Sequence, residues 1–473
     1  MRRTKIVATI GPASRDPEVL RAMVRAGMDV ARLNFAHGEP AEHAETARRV
    51  REAALAEGRT VGILADLPGP KMRTGAFATE SVELATGATF TLASQQVPGD
   101  AERVSTTVDD LPGVVSVGDE VYLADGEVVL RVTGIEGGDV ATEVVRGGRV
   151  RSRKGLHLPA AELRLEAFTE DDRRALDIAL EMEVDLVGLS FIRDERDLAK
   201  ARAALPGNAI RPHLVAKIET ASAVENLNAV VAAADAVMVA RGDLGIQTPL
   251  ERVPLLQKQI IRACNRIGKP VITATEMLES MTEEPLPSRA EVTDVANAVF
   301  DGTDALMLSE ETAVGRYPIE AVETMAKVAE SAETRRRRKN IELGLGAGDE
   351  DRVAWAVAHA AVEAAEDLGA AAILSVTRAG STPRRVAAYR PGRPVGALSP
   401  SDDCLGPLAL VWGVQPLQVP ELPSDTEVRS FADQVVRLAA ETGFVGPGDL
   451  VVVVAGSPGI RAGATDFMRV VRA

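Results

Sequence analysis

Eight short runs of β-branched and small apolar residues recur along the first 311 positions: KIVATIG, DVARLNF, VGILAD, DLVGLSF, HLVAKIE, AVMVARGD, PVITATEM and ALMLSEE. Between most of them lie amphipathic stretches such as DPEVLRAMVRAG, AEHAETARRVREAALAEG and EDDRRALDIALEME. Their apolar residues fall three and four apart, the spacing that turns one helical face to a core. Parallel strands alternating with helices eight times over predict an α/β fold, a (β/α)8 TIM barrel.

One connection breaks the rhythm. Between VGILAD and DLVGLSF the next helix is delayed by residues 72–158, which read as short strands with Gly and Asp turns (VSVGDEVYLADGEVVLRVTGIEGGDV). This predicts a small β-barrel domain inserted into the larger barrel, which then comprises residues 1–71 and 159–343. Past LGLGAGDED the pattern restarts with an Ala-rich helix, RVAWAVAHAAVEAAEDLG, and the strands AAILSVT, RPVGALS and DLVVVVAG, so residues 344–473 are expected to form a separate doubly wound α/β domain.

A net charge of −15 argues against a nucleic-acid partner, and the run TRRRRKN at 334–340 reads as a solvated helix end leading into a linker. No apolar stretch reaches the ~18 residues of a membrane span, and the N-terminal apolar run is too short for a signal peptide. Two cysteines, Cys264 and Cys404, make neither a disulfide framework nor a CxxC motif, so a cytoplasmic location is expected.

In a barrel, chemistry sits where strands end. Those ends carry Arg32, Asn34, His37, Asp66, Lys71, Arg73, Ser190, Arg193, Lys217, Glu219, Arg241, Asp243, Thr275, Ser309 and Glu311. Lys217 and Glu219 stand two apart on one strand and so point the same way, while Asp243 ends the next strand. Two carboxylates beside a lysine suit a hard divalent cation such as Mg2+ or Mn2+, leaving the lysine for a phosphoryl oxygen. A purely structural Lys217–Glu219 ion pair is the competing reading, although buried pairs are costly without a use. In RGDLGIQTPL, Gly242 and Gly245 bracket a turn whose backbone N–H groups could hold a small anion, though such turns also need glycine for backbone reasons alone.

The stretches TKIVATIGPAS, GMDVARLNFAHG, GPKMRTG, VAKIE, VMVARGDLG, ATEMLESM and RAEVTDVANAVFDGTDALMLSEETAVGRYP occur in the order found in pyruvate kinases, and the chain resembles that family over nearly its whole length. The resemblance implies transfer of a phosphoryl group from phosphoenolpyruvate to ADP, giving pyruvate and ATP with Mg2+, and a homotetramer. It implies that Lys217, helped by Arg32, stabilises the moving group, and that Arg73 holds phosphate from the far side. Glu219 and Asp243 would bind the metal, and the N–H groups of Gly242 and Asp243 would hold the substrate carboxylate. Thr275 would stand near the enolate carbon, where a water relay delivers a proton. Asn34, His37 and Lys154 look like the family's nucleotide contacts, with Arg73 beside them, and residues 72–158 would close over the mouth as a lid.

Departures from the family matter as much. Glu276 stands where a glutamine is common, and Thr465–Asp466 replaces a usual Thr-Asn. The loop TRAGSTPRR at 377–385 offers Thr377, Gly380, Ser381 and Thr382 as a candidate site for a phosphorylated effector, with Arg384 and Arg385 adding charge; a plain helix cap is the alternative. Most pyruvate kinases place a glutamate at the Lys71 position and need potassium, held by an Asn, a Ser, an Asp and the following carbonyl. Here Asn34, Asp66 and the Leu67 carbonyl remain, the serine is Ala36, and Lys71 supplies a fixed ammonium. Potassium is therefore expected not to be required. A phosphoenolpyruvate mutase or lyase barrel would share Lys217, Glu219 and Asp243 without needing the lid or Lys154. A non-catalytic metabolite sensor would be expected to lose Lys217 or Thr275, and both are present.

Overall fold

The computed structural model describes residues 2–70, 72–108, 110–124, 126–158, 166–207, 212–335, 349–422, 427–457 and 465–473. Lys71 and most of the TRRRRKN run lie outside them. The eight expected runs form strands β1 (Lys5–Thr9), β2 (Val30–Asn34), β3 (Gly62–Asp66), β4 (Leu186–Leu189), β5 (His213–Ile218), β6 (Ala236–Ala240), β7 (Val271–Ala274) and β8 (Ala305–Leu308). They close in the order β1-β8-β7-β6-β5-β4-β3-β2, every pair parallel.

Side-chain parity explains what faces the axis. Val7, Val30, Leu64, Leu186, Val215, Met238, Ile272 and Met307 pack together inside the barrel, whereas their chain neighbours Ile6, Ala31, Ile63, Val187, Leu214, Val237, Val271 and Leu306 pack against the surrounding helices. Strand side chains alternate, so the residue two beyond each interior position also turns inward, one layer nearer the carboxyl ends. Thr9, Arg32, Asp66 and Lys217 occupy that layer by register.

The inserted segment pairs as a six-stranded sheet, in the order Leu156–His157, Glu120–Leu123, Val128–Glu136, Asp139–Arg146, Thr89–Ala93, Arg103–Ser105, and as a ladder of Ser81–Leu84 with Gly148–Arg151. Both pieces wrap one apolar cluster that includes Leu84, Phe90, Val121, Leu130, Val144 and Val150.

The last unit is a five-stranded sheet ordered Val414–Gln418, Val395–Ser399, Ala372–Val376, Leu450–Ala455, Phe467–Arg472. Its first four strands are parallel and the last is antiparallel. Separate apolar clusters cover its two faces, as a doubly wound sheet requires. The outer strands VQPLQ and FMRVVR were not foreseen from sequence. Both are edge strands, where a proline or an alternating polar face is tolerated and the apolar signal is weak. Ala409 and Leu410 from this unit join the barrel's interior cluster and close its base. Among the described residues no helix is long and apolar enough to cross a membrane.

Candidate active site

At the carboxyl end of the barrel, Asp66 ends β3 and is 2% exposed. Its Oδ2 accepts from Arg32 Nε at 2.8 Å and lies 2.7 Å from Arg32 Nη2. Its Oδ1 lies 3.5 Å from Lys217 Nζ. Gly188 on β4 leaves room for this carboxylate, since a Cβ there would meet Asp66 Oδ1 at 2.8 Å. Lys217 Nζ also lies 3.4 Å from Glu219 Oε2 and donates to Ser190 Oγ at 2.7 Å. Thus Arg32, Lys217, Asp66 and Glu219 form one buried network, in which Asp66 bridges the two cations. The sequence alone assigns Asp66 only to a monovalent-ion region.

The electrostatics follow from burial. Removal from water pushes the Asp66 carboxyl upward, but the Lys217 ammonium and Arg32 guanidinium reverse this and leave it below its ordinary value. Burial likewise works to discharge Lys217, and Asp66, Glu219 and Asp243 outweigh it, so the ammonium is held charged. Glu219, fully buried, is pushed upward by burial, with Lys217 opposing and Asp243 adding to the rise. Its Oε1 accepts from Phe191 N at 2.6 Å, and its Oε2 has no hydrogen-bond partner.

A buried carboxylate oxygen left unbonded is costly unless a cation completes it. Asp243, in the first turn of the helix Arg241–Gln247, lies near enough for its charge to act on both Lys217 and Glu219. Among the described residues no group of three or more His, Cys, Asp or Glu side chains is arranged to hold a metal. Two carboxylates with other ligands from substrate and water fit Mg2+, which keeps several waters and is seldom caged by protein alone.

Thr275 follows β7 in a left-handed conformation (φ 67°), as does Glu276 (φ 52°). Such backbone costs about 1–3 kcal/mol per residue and needs outside support. Arg241 provides it. Its guanidinium donates to the carbonyls of Ala274, Thr275 and Glu276, each at 3.1 Å, and to Asp294 at 2.6 Å. Arg241 is therefore a clamp on the Thr275 turn. Thr275 Oγ1 accepts from Gly242 N at 2.9 Å and donates to the Ala274 carbonyl at 2.6 Å. The Gly242 N–H expected to meet an anion is thus already in use by the threonine.

Other rim residues hold loops together. Arg193 pairs with Asp197 at 2.9 Å, and the buried Glu311 carboxylate accepts from Ser309 N at 2.6 Å and Leu278 N at 3.1 Å.

Asn34 lies opposite Asp66 in the β2–β3 register, and its Oδ1 accepts from Ala36 N at 3.1 Å. The Leu67 carbonyl accepts from Ser190 Oγ at 2.7 Å. The turn beyond it is pinned by Asp172 Oδ1, which accepts from Gly69 N at 2.9 Å. His37 is exposed, and its carbonyl meets His43 Nε2 at 2.9 Å. Arg73 and Lys154 come together at the root of the inserted segment: Arg73 bridges to Gly155, and Thr74 N donates to the Lys154 carbonyl at 2.9 Å. Neither side chain is bonded to the central network among the described residues.

In the C-terminal unit, Gly380 (φ 76°) donates its N–H to Thr377 Oγ1 at 2.8 Å, Ser381 opens the helix Ser381–Ala388, and Thr382 Oγ1 lies 2.6 Å from Thr465 Oγ1. Of the flanking arginines, Arg384 donates to the Ala379 carbonyl of the same loop at 3.4 Å. Arg384 lines a crevice with Lys269, Asp304 and Arg390 at the barrel base, and Arg385 lies 6.0 Å from the Trp355 ring.

A closed parallel barrel with two cations and two carboxylates converging at its mouth has the layout of a barrel enzyme, and the family matches make it a phosphotransferase. Residues 1–322 match the family model "Pyruvate kinase, barrel domain", and residues 355–471 match "Pyruvate kinase, alpha/beta domain". The pyruvate kinase of Geobacillus stearothermophilus is 41% identical over 472 residues, covering 99% of this chain and 80% of that one. That of Clostridium acetobutylicum is 41% identical with 99% of both chains covered, and that of Mycobacterium intracellulare 43% identical over 100% of this chain and 98% of the relative. The chain belongs to the pyruvate kinase family, whose reaction is phosphoryl transfer from phosphoenolpyruvate to ADP.

Proposed function

We propose that Lys217 and Arg32 hold the phosphoryl group as it moves from phosphoenolpyruvate to ADP, while Glu219 and Asp243 bind Mg2+. The observation that carries this reading is the charged Lys217 ammonium set between Asp66 and a Glu219 whose second oxygen lacks a hydrogen-bond partner. When bound, Mg2+ would neutralise charge on substrate oxygens. Gly242 and Asp243 backbone N–H groups hold the substrate carboxylate, the first by exchanging its bond to Thr275. Thr275, released from that bond, orders the water that delivers a proton to the enolate carbon. Arg73, Asn34, His37 and Lys154 contact the nucleotide, and closure of the inserted segment excludes water.

Lys71 takes the place of the monovalent cation, so the enzyme works without potassium. Two facts support this: Ala36 lacks the expected hydroxyl, and the Asn34 and Leu67 oxygens already accept from Ala36 N and Ser190 Oγ. The enzyme is a cytoplasmic homotetramer, with Thr377, Gly380, Ser381 and Thr382 binding a phosphorylated effector. The barrel occupies residues 1–71 and 159–343, the lid 72–158, and the regulatory unit 344–473.

The decisive experiment is a steady-state assay of ADP phosphorylation with Lys217→Met. Turnover should fall by at least about 1000-fold while Mg2+-dependent substrate binding survives. Near-normal turnover would remove Lys217 from the reaction.

A further inference from the structure

Each of the two cations of the central network is met by a buried hydroxyl. Arg32 Nη1 donates to Thr9 Oγ1 at 2.9 Å, and Lys217 Nζ donates to Ser190 Oγ at 2.7 Å. Each hydroxyl donates its own hydrogen bond to a main-chain carbonyl, Thr9 to Leu308 at 2.8 Å and Ser190 to Leu67 at 2.7 Å. Thr9 is 4% exposed and Ser190 3%, so water does not compete.

A hydroxyl has a single proton and two lone pairs. Once the proton is committed to a carbonyl, the hydroxyl can only receive from the cation, and its lone pairs face a fixed direction. Both carbonyls belong to the barrel frame: Leu308 ends β8, and Leu67 directly follows β3. The frame thereby aims the cations.

For Lys217 a neutral acceptor has a specific advantage. Asp66 and Glu219 attract Lys217, and contact with either would spend its charge on a carboxylate instead of a phosphoryl oxygen. The ammonium instead lies 2.7 Å from the neutral serine oxygen and 3.5 and 3.4 Å from the two carboxylates. We propose that Thr9 and Ser190 are positioning residues that hold Arg32 and Lys217 in line for the phosphoryl group, Ser190 by keeping the ammonium off the two carboxylates and Thr9 by fixing the one Arg32 terminal nitrogen that does not contact Asp66. This rests on the roles of Arg32 and Lys217 given above.

Thr9→Val keeps the shape of the side chain and removes its oxygen, whereas Thr9→Ser keeps the oxygen. Ser190→Ala removes the second hydroxyl. Thr9→Val and Ser190→Ala should each lower kcat by about 10- to 100-fold, the usual cost of losing a hydrogen bond to a charged group. KM for ADP should be unchanged, and Thr9→Ser should recover kcat to within about threefold of the parent enzyme. Wild-type kcat in both Thr9→Val and Ser190→Ala overturns the proposal. So does a Thr9→Ser variant as slow as Thr9→Val, because packing of the methyl group would then be the cause. Should Ser190→Ala fail to fold, the two Thr9 variants decide alone. Arg32→Met and Lys217→Met, assayed in parallel, separate the two ideas: turnover surviving in them sinks the underlying roles, whereas their loss beside unaffected hydroxyl variants sinks only the positioning.

Discussion

At the scale of single residues, Lys71 carries the most specific consequence. It follows the stiff sequence LPGP, which leaves the barrel directly after Asp66. A tethered ammonium has the sign of a potassium ion and avoids the entropy of capturing a free one. Activity should therefore change less than about twofold when potassium replaces tetramethylammonium at equal ionic strength. Lys71→Glu should lose at least about tenfold in kcat/KM, and potassium should not restore it, because Ala36 leaves an ion site one oxygen short. Strong activation of the parent enzyme by potassium would refute this. Arg241 shows the limit of residue-level reading: the sequence marks it only as a charge at a strand end, and the fold makes it the clamp on the carbonyls of residues 274–276.

Among elements, the inserted segment has a core of its own. Its apolar cluster runs from Met72 to Leu158 without a contribution from the barrel strands. Its two ends pair with each other through Thr74 N to the Lys154 carbonyl (2.9 Å) and Leu156 N to the Met72 carbonyl (3.0 Å). A unit tied at its root and packed on itself can be removed without opening the barrel. Deleting residues 75–150 and bridging with glycines should leave a folded protein that binds phosphoenolpyruvate, seen by calorimetry, while ADP phosphorylation drops at least about 100-fold. Undiminished transfer would mean that the segment is not a lid.

Across the whole molecule, the C-terminal unit seals the barrel base. Arg390 pairs with Asp304 at 2.9 Å and stacks on Trp412 at 5.0 Å, and Lys5 Nζ donates to the Val414 carbonyl at 2.7 Å. His213, at the base end of β5, faces Asp235, Arg202 and Lys269 from the barrel and Arg384 from the C-terminal unit. Burial, with the surrounding cations, lowers its pKa to about 4, and Asp235 only partly opposes this. An imidazole depressed in the fold leaves the unfolded chain binding more protons between pH 6.5 and 4, so its contribution is complete above about pH 6.5 and lost as pH falls toward 4. The loss should reach about 3 kcal/mol at most. His213→Gln should flatten the fall in urea midpoint between pH 7 and 4.5; an unchanged slope would show that the histidine is not the responsible group.

Periodicity alone determined the eight barrel strands, the inserted β segment and the final α/β unit, because burial on two faces leaves a repeated strand–helix pattern few ways to close. Strand parity also put Lys217 and Glu219 side by side, since a period of two is local, and long shared motifs marked the family. Only the tertiary structure decided which groups complete them. Thr9 and Arg32 are 23 residues apart, Arg32 and Asp66 34, and Ser190 and Lys217 27. Their meeting depends on barrel register and on the direction each buried proton takes. Those are properties of the closed sheet, set by hydrogen-bond satisfaction between strands, and no local pattern of residue types encodes them.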